Sequence, residues 1–145
     1  MSRKPFGERL ETRQGASMEP IVAIVAALVL IEYMVIVRYA GRARGLYGVA
    51  APAMTGHPIF ERWARVQGNT VEQLVVFFPG LWLFSTYVRP DVAAALGVVF
   101  LIGRALFARG YVADPARRGP GFILSYLSNV ILVVGGLIGA IVAVL

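Results

Sequence analysis

Long apolar runs alternate along the chain with short polar breaks rich in proline, glycine and arginine. Residues 20–40, 70–88, 91–112 and 122–145 each approach the roughly 20 apolar residues with which a helix crosses a hydrocarbon core. The first run opens after Glu19-Pro20, where proline suits the first turn of a helix, and ends near the Gly41-Arg-Ala-Arg-Gly45 cluster. A loop rich in Gly, Ala and Pro follows. The second helix is placed from Pro58, several residues before its apolar part, and Pro79 inside that part is expected to kink it. Arg89-Pro90-Asp91 leaves so short a turn that the second and third helices must be antiparallel neighbours. Asp114-Pro-Ala-Arg-Arg-Gly-Pro-Gly121 is a loop of turn formers and basic residues. The pattern predicts an all-α domain over residues 18–145, with helices at about 20–40, 58–88, 91–113 and 121–145. Residues 1–17 are polar, charged and without apolar period. They are expected to be a disordered or non-native extension, with a partner-binding arm as the alternative, and they contain no h-region of a secretory signal.

One stretch departs from this scheme. Arg62, Arg65, Asn69, Glu72 and Gln73 stand directly before or within an apolar run. At about 100° per residue they share one sector of about 100°, so the second helix carries a single polar stripe on an otherwise apolar surface. A charge near a bilayer centre costs about 3 kcal/mol on insertion scales, so such a stripe faces protein, water or ligand and marks a functional candidate. In the fourth helix, Gly135-Gly136 and Gly139-Ala140 form a small-xxx-small pattern, read as close packing within the chain, with a dedicated oligomer face as the alternative.

Composition agrees with a membrane setting: 58% of residues are hydrophobic, 15% are charged, and mean hydropathy is +0.71. No cysteine is present, which excludes disulfides, cysteine-bound metal and a protein thiol nucleophile. The net charge of +6 rests on arginines that flank apolar segments rather than forming a basic patch, so nucleic acid is not the expected partner. They cluster in the first and third connections, which places those loops in the cytoplasm of a multi-pass protein. His57 has no partner at ligand spacing, and no metal is expected.

The run Phe60-Glu-Arg62-Trp-Ala-Arg65-Val-Gln67-Gly-Asn69-Thr-Val-Glu72, opening a second transmembrane helix in a four-helix chain, resembles the MAPEG family, the membrane-associated proteins of eicosanoid and glutathione metabolism. Gly103-Arg104-Ala-Leu-Phe107-Ala-Arg-Gly-Tyr111 and the basic loop beyond it resemble the family's third helix and its following loop. The resemblance covers residues 18–145. It implies a homotrimer of left-handed four-helix bundles, with glutathione bound as cosubstrate between subunits. By the same resemblance Arg38, Arg65, Gln67, Asn69, Glu72, Gln73, Arg104 and Tyr111 line the glutathione site. Arg118, with Arg117 adjacent, stabilises the thiolate. The ligand chemistry fits, because arginines grip carboxylates bidentately and Glu72 suits the γ-glutamyl amine.

The implied activity is that of a detoxifying glutathione transferase, with peroxidase activity open, acting on a hydrophobic electrophile from the membrane lipids. Phe107 and Gln73 depart from the polar residues that eicosanoid-processing relatives carry there, so the resemblance implies a broad microsomal-type glutathione transferase of bacterial character, located in the inner membrane, with a non-catalytic lipid-binding or scaffolding member as the alternative. Plainer roles stand beside these: Arg62 as an interfacial cap, Glu32 as an ion-pair partner of Arg104, Tyr33 as packing, and Trp63, Trp82 and Tyr87 as packing or interfacial residues.

Overall fold

The computed structural model describes residues 19–145, so the extension expected over 1–17 lies outside the described residues. Four helices follow in order: α1 (Pro20–Leu46), α2 (Pro58–Tyr87), α3 (Pro90–Ala113) and α4 (Gly119–Val144), with a 3₁₀ turn at Pro115–Arg118 before α4. A proline stands at the first or second position of every helix, where its missing N–H is no loss and its fixed φ already suits the turn. His57 caps α2 by accepting from Ile59 N through Nδ1 at 3.3 Å, and Asp114 caps the 3₁₀ turn by accepting from Ala116 N at 3.0 Å. His57 also stacks on Tyr47, ring centroids 3.6 Å apart.

Two boundaries differ from expectation. α1 continues through Gly41 and Gly45 to Leu46 because Ala40 and Ala43 are buried and Arg44 anchors the turn beyond. Its Nη1 donates to Ala53 O at 2.8 Å and Val49 O at 3.4 Å, and its guanidinium lies 4.4 Å over the Phe60 ring. α4 starts at Gly119 rather than 121, since the 3₁₀ turn runs into it without a break. α2 passes through Pro79 as one helix. Three helices, α1, α3 and the stretch from the 3₁₀ turn through α4, are long and apolar enough to cross a membrane. α2 falls short of that measure because its polar stripe and Pro79 dilute the apolar run.

α2 and α3 form the centre, flanked by α1 and α4. The main core joins Val22, Val25 and Val29 of α1 to Phe77 and Leu81 of α2, Phe100 of α3 and Leu132 of α4, with Tyr33 packed against it. Trp63 packs against both smaller clusters and stacks on Tyr39 at 4.9 Å. Outward faces of α1 and α4 carry exposed Ile, Leu and Val side chains, the surface a bilayer solvates.

The tightest helix packing is between α3 and α4. A methyl on Gly103 would stand 2.7 Å from Ser125 N, and one on Gly121 would meet the backbone of Phe107. Ser128 adds a hydrogen bond from Oγ to Leu96 O at 2.6 Å. Gly135, Gly136 and Gly139 pack on Leu83, Phe84 and Tyr87 of α2, so the small-residue pattern serves packing within the chain.

Candidate functional site

A cavity of about 320 Å³ opens between α2, α3 and α4 at the end that carries the arginine-rich connections. Arg65 and Asn69 of α2, Phe107 and Tyr111 of α3, Arg118 at the end of the 3₁₀ turn and Phe122 of α4 line it. The spacing on each helix explains the convergence: 65 and 69, 107 and 111, and 118 and 122 are each one turn apart and therefore share a face. Gly110 lets the loop close over this end, since a methyl there would lie 2.7 Å from Arg117 O. Arg65 and Arg118 are exposed, and among the described residues no carboxylate lines the cavity. Its field is cationic and its walls are aromatic, with Phe107 5.5 Å from Tyr111 and 6.3 Å from Phe122 by ring centroids.

Behind this wall lies Arg104, fully buried. Its Nη1 donates to Asn69 Oδ1 at 3.1 Å, its Nη2 donates to Thr70 Oγ1 at 2.6 Å, and its guanidinium stacks 4.2 Å over the Phe107 ring. Arg104 Nε has no partner among the described residues. The expected Glu32–Arg104 ion pair is not formed: Arg104 turns toward α2, and Glu32 is left within electrostatic reach on α1. Glu32 instead lines a separate apolar groove of about 700 Å³ between α1, α2 and α3, together with Tyr39, Trp63, Ala108 and Arg109.

Thus the structure gathers Arg65, Asn69, Tyr111 and Arg118 on one cavity, with Arg104 supporting Asn69 from behind. It does not bring the remaining candidates to that cavity within one chain. Arg117 points elsewhere, its Nε 3.8 Å from Asp114 Oδ2. Gln73 accepts from Asn129 Nδ2 at 3.0 Å through Oε1, an amide pair between α2 and α4 that borders a smaller groove. Arg38 and Glu72 are exposed, and Gln67 is half-buried. Gln67 lies about 140° around α2 from Arg62, outside the stripe, so the same helix cannot aim it into the same cavity. Arg62 is a cap, but of the neighbouring helix: its Nη1 donates to Val112 O at 3.0 Å and Ala113 O at 3.1 Å, the free carbonyls ending α3.

Thr70, Phe122 and Asn129 are additions to the expected set. Phe122 had a signal in its place one turn after Arg118. Thr70 and Asn129 had none, because their partners lie 34 and 56 residues away.

Residues 20–138 match the MAPEG family. An uncharacterized protein of Synechocystis is 53% identical over 116 residues, covering 80% of this chain and 85% of the relative. Human microsomal glutathione S-transferase 2 is 35% identical over 119 residues, covering 82% of this chain and 81% of the relative. Bovine leukotriene C4 synthase is 30% identical over 104 residues, covering 70% and 69% respectively. With apolar spanning helices and a family match over most of its length, the chain is an integral membrane protein that belongs to the MAPEG family.

Proposed function

We propose that the protein is a membrane-bound glutathione transferase, which stabilises the glutathione thiolate for attack on a hydrophobic electrophile arriving from the bilayer. The observation that carries this reading is the pair of exposed guanidiniums, Arg65 and Arg118, on one aromatic-walled cavity with no carboxylate among its described lining. Glutathione offers two carboxylates and a thiol, and each anion suits a guanidinium fork. A free thiol titrates near pH 8.5, and each unit of lowering corresponds to about 1.4 kcal/mol of thiolate preference. Arg118 is the residue assigned to that task, because Arg117 turns toward Asp114. The same thiolate would serve a peroxidase reaction. Relatives named microsomal glutathione S-transferase 2 and leukotriene C4 synthase support the reading.

The working unit in this proposal is a homotrimer. Arg65 and Glu72 are exposed along α2, and intramembrane charges face protein or water rather than lipid, so a neighbouring copy is expected to cover them. That neighbour would also supply Arg38 and Gln67, which the single chain directs elsewhere. The connections at 47–57 and 114–118 face the cytoplasm of a bacterial inner membrane in this proposal, by the arginines around them. Because the chain has no cysteine, single cysteines introduced at Ala53 and Ala116 report that orientation directly by labelling from either side.

The functional test is ultraviolet thiolate absorbance on adding glutathione to the purified protein, followed by conjugation of an aryl halide. Absence of both overturns the proposal. The apolar groove of about 700 Å³ beside Glu32 favours the second reading, a non-catalytic lipid-binding member. Thermal stabilisation by fatty acid but not by glutathione would select it.

A further inference from the structure

The hydrogen bonds around Arg104 are polarised in one direction. Arginine can only donate, so the Asn69 atom 3.1 Å from Nη1 must be Oδ1, which removes the usual ambiguity between the two ends of an amide. Thr70 Oγ1 lies 2.7 Å from Val66 O, and a carbonyl can only accept, so the single threonine hydrogen is spent there. The lone pairs of Oγ1 are left for Arg104 Nη2 at 2.6 Å. With Oδ1 engaged by Arg104, the Asn69 amide atom without a hydrogen bond among the described residues is Nδ2, a donor that an occupant of the cavity could use.

We propose that Thr70 is a positioning residue: by accepting from Arg104 it pins the guanidinium against Asn69 and Phe107, so that Asn69 offers the cavity an N–H donor for a carboxylate or peptide carbonyl of glutathione. Arg104 is fully buried and Nε already lacks a partner among the described residues, so Thr70 holds one end of a cation with little to spare. Remove that oxygen and Nη2 is stranded in an apolar interior. Glu32, within electrostatic reach on α1, then competes for the guanidinium and draws it away from Asn69. Thr70 itself does not line the cavity, which is why its effect must pass through Arg104 and Asn69.

The inference rests on the glutathione reading, and the test separates the two. In the purified full chain, Thr70→Val keeps the side-chain shape and removes the hydroxyl. It is expected to raise KM for glutathione about tenfold with kcat little changed, the scale of one hydrogen bond to a charged group. Thr70→Ser is expected to restore KM. Asn69→Asp keeps an acceptor for Arg104 but turns the cavity-facing donor into an acceptor, so glutathione affinity falls by more than about tenfold while the melting temperature stays at or above that of the wild type. An unchanged KM in Thr70→Val, a Thr70→Ser variant as poor as the valine, or Asn69→Asp binding glutathione normally overturns the inference. If Thr70→Val does not fold, Asn69→Asp decides. Wild-type protein that binds no glutathione overturns both readings, whereas wild-type binding with insensitive variants overturns this one alone.

Discussion

Gly121→Ala places a methyl group where α4 meets the backbone of α3, and so tests whether this close approach sets the candidate cavity. The added carbon would stand 2.7 Å from the α-carbon of Phe107 and 2.8 Å from Gly103 O, and closer still to Phe107 N. Ordinary van der Waals separation begins at 3.4 Å, so relieving the overlap with the Phe107 α-carbon alone requires the helices to part by 0.7 Å, the difference between 3.4 and 2.7 Å. The obstructing atoms are backbone, which cannot rotate away as a side-chain end would. Overpacking of a tight interior costs about 1–3 kcal/mol, against which alanine recovers about 0.5–1 kcal/mol of helix propensity over glycine. With backbone as the obstacle the upper end of that cost applies, so a net loss of about 2 kcal/mol follows, together with a displaced Phe122 next to the substitution and Phe107 opposite it. Both rings line the cavity, so stability and glutathione affinity should fall together. The assay is thermal unfolding in detergent with and without glutathione. Gly41→Ala, at a helical position where nothing lies within 4 Å of the added carbon, is the control and should be neutral or stabilising. A Gly121→Ala protein that melts and binds glutathione like the wild type refutes the argument that this helix packing shapes the site.

Other expectations follow from single hydrogen bonds and charges. Arg62→Ala strips the donor from the two terminal carbonyls of α3 and should cost about 1–2 kcal/mol in thermal unfolding, partly restored by lysine, which donates but cannot reproduce the fork. Arg118→Ala should abolish the thiolate signal and lower turnover more than glutathione affinity, whereas Arg117→Ala should leave both intact. The opposite pattern would exchange their roles. Ser128→Ala removes an interhelical hydrogen bond of 2.6 Å but should cost only about 0.6 kcal/mol, the average for such bonds within a membrane bundle; a collapse of the fold would contradict that scale.

Helix number and the breaks between helices were legible because each depends on local chemistry: apolar length, a proline at each start, turn formers between. The missed end of α1 has a non-local cause. Arg44 holds α1 intact through Gly41 and Gly45 by bonding a loop up to nine residues further on, and the glycines alone read as a stop. Arg104 illustrates the same limit at the site. Its charge invited pairing with Glu32, the carboxylate on the adjoining helix, yet two neutral oxygens from consecutive residues of α2 hold it. Pairing a buried arginine with neutral acceptors avoids burying a second charge, whose desolvation can exceed the gain from the ion pair.

The polar stripe on α2 was legible as a unit, but its internal order was not. At about 100° per residue, Glu72 and Arg65 fall on one edge of the sector, Asn69 in the middle, and Arg62 and Gln73 on the other edge. The structure gives the two edges different surroundings. Arg62 and Gln73 are tied to α3 and α4, whereas Arg65 and Glu72 remain exposed. Asn69 is shared, its oxygen held by Arg104 while the residue lines the cavity. A stripe with only structural work would be expected to satisfy both edges within the bundle, since an unpaired intramembrane charge is costly. The division therefore argues for a partner on the outer edge that is not part of this chain. In the proposed homotrimer, Gln67, on the opposite side of the same helix, would meet the same requirement from the other direction, as a contribution from a second copy.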